Sequence, residues 1–256
     1  MYIRKKILFL LPLIFSLSVL SSDIEEIIVK GEYREKSLGE EDSSIVVIQS
    51  EQIKSQAIKH FQQLSHLVPN LNYAASDSRA RYFQIRGIGE RSGYQGTPNS
   101  SVGFLIDDID YSGQGGIATL FDVDQVEVFR GPQGSRSGAN ALAGLIYIKT
   151  KDPTEKFEGT SELTLGDYGT QNIGIAFGGP MQNKKLKYRL VLRTDYADGF
   201  RKNIYLNKSD TSKKDELTLR YKLNWELNET TNLDFVVSKV DMDDPADIWT
   251  IDGSLN

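Results

Sequence analysis

The chain has 256 residues, a net charge of −5, no cysteine and two histidines. The acidic balance argues against a nucleic-acid partner, whose phosphates attract cations, and the lack of thiols excludes disulfides, thiolate metal sites and cysteine nucleophiles. His60 and His66 are six positions apart; at neither i+3 nor i+4 spacing, they read as solvated helix residues and not as a metal pair.

The chain opens MYIRKKILFLLPLIFSLSVLSS. Arg4, Lys5 and Lys6 form a basic start, Ile7–Val19 is an apolar run of 13 residues, and Ser21 and Ser22 are small. That run is too short to cross a ~30 Å hydrocarbon core as a helix. The pattern predicts a secretory signal peptide over residues 1–22, in preference to an uncleaved anchor. Residues 23–42 form a short segment that begins DIEEIIVKGEYR. Its run Ile27, Ile28 and Val29 lies between acidic and basic residues. Such a run can add as an edge strand to a partner's sheet, or serve as an ordinary first strand of the next domain.

Residues 43–153 read as a mixed α+β domain, long enough for one core. Ser44–Ile48 predicts a strand, and Ser50 a helix cap with Glu51 in the first turn. Phe61, Leu64 and Val68, with Leu67 beside them, predict a second helix that Pro69 stops. Strands follow at Phe83–Arg86, Val102–Ile106, Val126–Phe129 and Leu145–Thr150. Their loops are rich in Gly, Ser and Asn. The stretch VFRGPQGSRSGANALAGLIYIKT runs from Val128 to Thr150. It is not a P-loop, because no Gly-Lys pair follows Gly131 or Gly134 at the required spacing. It is not a nucleophile elbow either, because Arg136 stands where serine belongs. These failures and the scarcity of His and Cys disfavour an exported enzyme.

From residue 154 to 256 the pattern is alternation. Phe157–Leu165, Asn172–Gly178, Leu186–Tyr196, Glu216–Glu226 and, more weakly, Thr231–Val240 set their apolar residues mainly on alternate positions. In Leu186–Tyr196 the apolar set Leu186, Tyr188, Leu190, Leu192 and Tyr196 opposes Lys187, Arg189, Arg193 and Asp195. These lengths approach the ~9–11 residues of a tilted membrane-crossing strand. A long connection, Ala197–Lys214, and a short one, Asn228–Thr230, match the long outer loops and short periplasmic turns of membrane barrels. A soluble, secreted binding module with an α+β domain and a β-sandwich is the alternative.

FDVDQVEVFRGPQGSRSGANALAGLIYIKT (Phe121–Thr150) resembles the last part of the plug domain of TonB-dependent outer-membrane receptors, and RGIGERSGYQGTPNSSVGFLIDDIDYSG (Arg86–Gly113) the part before it. SSIVVIQSEQIKSQAIKHFQQLSHLVPNLNY is similar to the start of a plug, and EKFEGTSELTLGDYGTQNIGIAFGGPM to the first barrel hairpin. Asp107-Asp108 departs from the usual Asp-Gly, Arg136-Ser137 from Leu-Tyr, and Tyr147 from the frequent Asn.

The resemblance implies an α+β plug domain followed by antiparallel transmembrane β-barrel strands, an incomplete barrel. It implies a TonB box at Ile24, Glu25, Glu26, Ile27, Ile28, Val29, Lys30 and Gly31, with TonB as energy-coupling partner. Arg86, Gly87, Arg130, Gly131, Gly134, Gly138 and Gly144 become structural plug residues, the glycines for tight turns and close approach, and Arg130 a partner of barrel-wall carboxylates. Loops Ala75–Arg81, Gly89–Thr97 and Tyr111–Gly116 point outward, so Arg79, Arg81, Arg91, Tyr94, Tyr111 and Gln114 are the candidate ligand contacts. The implied function is energy-coupled uptake of a small ligand across the outer membrane, most often a ferric siderophore, with no cofactor beyond a ferric chelate as cargo. About five barrel strands are fewer than the ~8 of the smallest barrels, so the chain is expected to be the N-terminal part of a larger receptor and to aggregate or be degraded alone.

Overall fold

The computed structural model describes residues 26–31, 36–75, 79–93, 99–134, 140–182, 184–204, 207–209 and 211–245. Residues 1–22, where a signal peptide is expected, and Ile24, Glu25, Tyr94 and Gly138 lie outside the described residues.

The first strands are short: β1 (Ile28–Val29) and β2 (Lys36–Ser37) pair antiparallel. β3 (Ile45–Gln49) runs straight into α1 (Ser50–Ser55). Ser50 was expected to cap this helix. The cap position is Gln49, the last residue of the strand, and no side chain bonds there. Ser50 lies within the first turn, and its hydroxyl donates to Glu51 Oε1 at 2.9 Å.

The second helix expected from the sequence is a 3₁₀ helix, Phe61–Leu67. Phe61 and Leu64 face the core as the spacing implies. His60 is not the solvated residue its spacing to His66 predicts. It is 4 % exposed. Its Nε2 lies 2.9 Å from the carbonyl of Gly116, and Gln62 N donates to its Nδ1 at 3.4 Å, so the ring caps the helix start. Sequence spacing cannot see this, because Gly116 comes from a distant loop.

The hairpin β4 (Leu71–Ala75) and β5 (Ala80–Ile85) follows. Then come β6 (Val102–Ile106), β7 (Ile109–Asp110), β8 (Val123–Phe129) and β9 (Gly144–Thr150). They form a mixed sheet in the order β3-β8-β9-β6-β7, with β6 and β9 parallel. One face packs Ile48, Val126, Val128, Ile146, Ile148 and Phe104 under the helical elements. Phe61 meets Phe83 and Phe104 edge-on at 5.2 Å, and those two stack at 5.3 Å. The other face carries Leu105, Phe129, Leu145 and Tyr147, and Val29 of β1 covers them. Asp107 and Asp108 turn β6 into β7 with φ of 48° and 69°. Such two-residue turns need φ > 0 at both positions, which Asp tolerates better than most residues.

The second sheet is a plain antiparallel meander. It holds β10 (Glu158–Leu165), β11 (Gln171–Pro180), β12 (Leu186–Ala197), β13 (Lys214–Asn228) and β14 (Thr231–Met242) in chain order. The alternation of the sequence becomes two faces with a period of two. They are assigned opposite to a soluble sandwich. Arg189, Arg193, Thr218, Arg220 and Lys222 are buried on the face turned to the first domain, whereas Leu163, Leu190, Leu219, Trp225, Leu233 and Phe235 are exposed. β10 and β14 are its edges, and no strand among the described residues pairs with their outer sides.

Candidate functional site

The five-stranded meander cradles the first domain, and the contacts between them are mainly ionic. At the β8 start, the ring of Phe121 lies under the guanidinium of Arg193, 5.5 Å from centroid to Cζ. The ring fits a notch in β11 at Gly174, where a Cβ would come within 2.6 Å of it. Next in the chain, Asp122 receives Arg189 Nε at 2.7 Å. Arg220 Nη2 donates to the Asp122 carbonyl at 3.3 Å. At the end of β9, Lys222 Nζ reaches the Thr150 carbonyl at 3.1 Å, Asp107 at 3.1 Å and Asp152 at 2.9 Å. Burial works to raise Asp152, but Lys222 and Lys149 beside it hold its carboxyl below the usual range.

The five predicted ligand contacts among the described residues separate. Arg79, Arg81 and Gln114 line one open cavity of about 220 Å³ with Gly116, Ile117, Met242 and Asp244. Arg79 bridges the two domains there: its Nε donates to Glu216 Oε1 at 2.6 Å and lies 3.7 Å from Asp244. Arg81 Nε donates to the Gly113 carbonyl at 3.0 Å. Tyr111 sits beside a smaller cavity, its hydroxyl 3.0 Å from Ser238 Oγ of β14. Arg91 is exposed and does not line the Arg79 cavity. A further cavity of about 210 Å³ lies behind Arg79, lined by Lys59, His60, Asp195 and Lys214 among others. Burial first, and then the charge of Arg79, drives the His60 pKa down to about 3. Glu216, Asp244, Lys59, His60 and Lys214 were missed by sequence reasoning. Glu216 alone left a signal, as a charge in the polar set of an alternating strand. Among the described residues no group of three or more His, Asp or Glu side chains gathers as a metal site.

Of the N-terminal segment, Glu26 is exposed and Ile27 and Ile28 are partly buried. Val29 and Gly31 are buried, and Lys30 Nζ pairs with Asp124 at 2.8 Å.

Residues 37–145 match the family model described as TonB-dependent Receptor Plug Domain. That segment is a plug domain of the TonB-dependent receptor family. It is 25 % identical over 192 residues to the pesticin receptor of Yersinia pestis, covering 74 % of this chain and 28 % of that one. The fold is similar to the ferric yersiniabactin uptake receptor FyuA of Yersinia pestis, with a TM-score of 0.67 at 23 % identity, covering 77 % of this chain and 31 % of that one. It is equally similar to the ferripyoverdine receptor of the outer membrane of Pseudomonas aeruginosa, with a TM-score of 0.67 at 19 % identity, over 82 % of this chain and 27 % of that one. The chain thus spans less than a third of the length of these relatives.

The first domain is therefore the plug and the meander the first barrel strands. The structural residues expected in this plug divide. Gly144 admits no Cβ, because the Phe129 carbonyl and the Ile85 side chain lie against it. Gly131 has φ +153° and Gly87 φ +83°, so both need glycine. Gly134 meets nothing within 4 Å and has no such φ, so neither reason given for it from sequence applies. Arg86 is exposed at φ 54° and donates to Ser44 Oγ at 3.2 Å. The carboxylates expected for Arg130 are not found among the described residues, and its buried Nε has no partner there. The buried contacts at the middle of the wall run the other way: plug carboxylates Asp107 and Asp122 meet wall cations.

Proposed function

We propose that this chain is the N-terminal part of an outer-membrane receptor that takes up a ferric siderophore by coupling to TonB. One observation carries the reading: the meander is apolar on its outer face and cationic on the face that holds the plug. A soluble sandwich would bury the apolar set. A barrel wall in lipid exposes it and turns its polar set to the lumen. The apolar outer face therefore disfavours the soluble-module reading. The proposed division is a signal peptide over 1–22, a coupling segment over 23–42, a plug over 43–153 and barrel strands from 154. The open edges of β10 and β14 are to be closed by further strands, since unpaired backbone groups cost several kcal/mol each in hydrocarbon.

The ligand reading is supported by the names of the similar receptors, for pesticin, ferric yersiniabactin and ferripyoverdine. Iron enters as cargo inside its chelate. Arg79, Arg81, Arg91, Tyr94, Tyr111 and Gln114 are the proposed contacts. Guanidinium groups and phenols suit an anionic chelate. Binding and a plug rearrangement suffice, and no bond is made or broken, so the protein is a receptor and not an enzyme.

The test is binding of a panel of ferric siderophores to the receptor in outer-membrane vesicles. Arg81→Ala is expected to weaken one of them about tenfold, the value of a lost charge-assisted bond. Unchanged affinity for every chelate that binds, or recovery of the receptor in the soluble periplasm, would contradict the proposal.

A further inference from the structure

Arg79 lines both the open cavity it shares with Arg81 and the cavity of about 210 Å³ behind it. The second cavity lies between the plug and the wall. Lys59, His60 and Arg79 come to it from the plug, and Asp195, Ala197 and Lys214 from the wall strands β12 and β13.

Its charge is unbalanced. Each of its three cations has a carboxylate partner, but none of those carboxylates lines the cavity. Lys59 Nζ meets Glu162 at 2.7 Å, Arg79 Nε meets Glu216 at 2.6 Å and Lys214 Nζ meets Asp244 at 2.9 Å. Asp195 does line it, but both of its oxygens are taken: Arg193 Nε and Nη2 donate to them at 2.9 and 2.6 Å. His60 records the resulting field. Burial first, then the charge of Arg79 and more weakly that of Lys214, keep its ring unprotonated. Three cations around one small space favour an anion there. Size limits what that anion is. Pockets that hold a whole small molecule measure ~300–1,000 Å³, so this one takes a single oxyanion group and not a complete chelate.

We propose that the cavity behind Arg79 is a second anion site, which takes one oxyanion group, a carboxylate arm of the ligand or a free phosphate, between Lys59, Arg79 and Lys214. Arg79 serves both cavities, so a ligand held in the first reaches the second with one arm without leaving that guanidinium. The link to uptake rests on the ligand reading above; the charge of the cavity does not.

The 256 residues contain no cysteine, so Ala197→Cys places a reporter thiol in the cavity wall. The complete receptor carrying it, in outer-membrane vesicles, is labelled with an anionic and a cationic methanethiosulfonate of similar size. The ratio of the two rates is compared with the same ratio on free mercaptoethanol. It is expected to favour the anionic reagent about tenfold, and Lys59→Gln to reduce that preference about fivefold, the effect of one charge a few ångströms away. Glu162 keeps a partner in that variant, since Arg193 Nη1 donates to it at 2.6 Å. Lys214→Gln acts from the wall and is expected to change the ratio in the same direction, so a folding defect in one variant does not hide the result. Inorganic phosphate and ferric citrate are then added in turn. Slowing of the anionic reagent by ferric citrate alone assigns the site to an arm of the ligand, and slowing by phosphate alone to a free ion. No preference for the anionic reagent, or a preference that neither lysine variant changes, would overturn the site. Chelate binding that Arg81→Ala weakens would in that case leave the ligand reading standing. An anionic preference in a receptor that binds no ferric chelate sustains the site and overturns the ligand reading instead.

Discussion

At His60 and Asp122, single side chains decide how the plug is held. His60 is buried neutral, with its pKa depressed to about 3 from an ordinary 6.5. The unfolded chain takes up a proton as pH falls below 6.5 and the folded one does not. Stability is therefore full above that value and falls as pH drops toward 3. Between pH 7 and 5 this one group is expected to cost about 2 kcal/mol. His60→Gln is expected to remove that part of the slope in urea midpoints taken at the two pH values. An unchanged slope would show that the ring titrates freely. Asp122 faces Arg189 and Arg220, with all three side chains nearly inaccessible. Asp122→Ala strands both cations and is expected to cost about 3–5 kcal/mol, seen as early release of the plug in limited proteolysis. That β12 and β13 carry cations on one face is legible in the sequence as alternation. Which carboxylate each cation meets is not, because Asp122 and Arg189 are 67 positions apart. The burial of His60 is invisible for the same reason.

The barrel strands are the most legible elements. Their period-two pattern is long, and each predicted strand has a counterpart within about two residues at most ends. The plug elements are less legible. β1, β2 and β4 are short and take their hydrogen bonds from hairpin partners, and the 3₁₀ geometry at Phe61–Leu67 cannot be told from an α-helix by apolar spacing. The fit of Phe121 into β11 is likewise a tertiary event, yet it is testable. Gly174→Val is expected to expel the ring and loosen the plug, and Phe121→Ala in the same chain to recover part of the loss. Additive losses in the double variant would show that the two sites are independent. Ile28→Pro removes a backbone donor from β1. It is expected to abolish uptake while leaving ligand affinity unchanged in a binding assay on vesicles.

The whole molecule follows from the inverted sheet. Cations on the face turned to the plug draw its carboxylates inward, and the apolar face is left outward. The resemblance at Phe121–Thr150 makes the fold legible, but the ligand is not, since the proposed contacts are side chains of ordinary polar type. Arg79 illustrates this: it is already engaged by Glu216 and Asp244 beside the cavity it shares with Arg81 and Gln114. The most direct measurement is uptake of radiolabelled ferric siderophores by cells that carry the complete receptor, with and without TonB. The account predicts saturable uptake of one chelate that is lost without TonB and lost equally in Ile28→Pro. Uptake that persists in both, or a receptor that binds no ferric chelate at all, would contradict it.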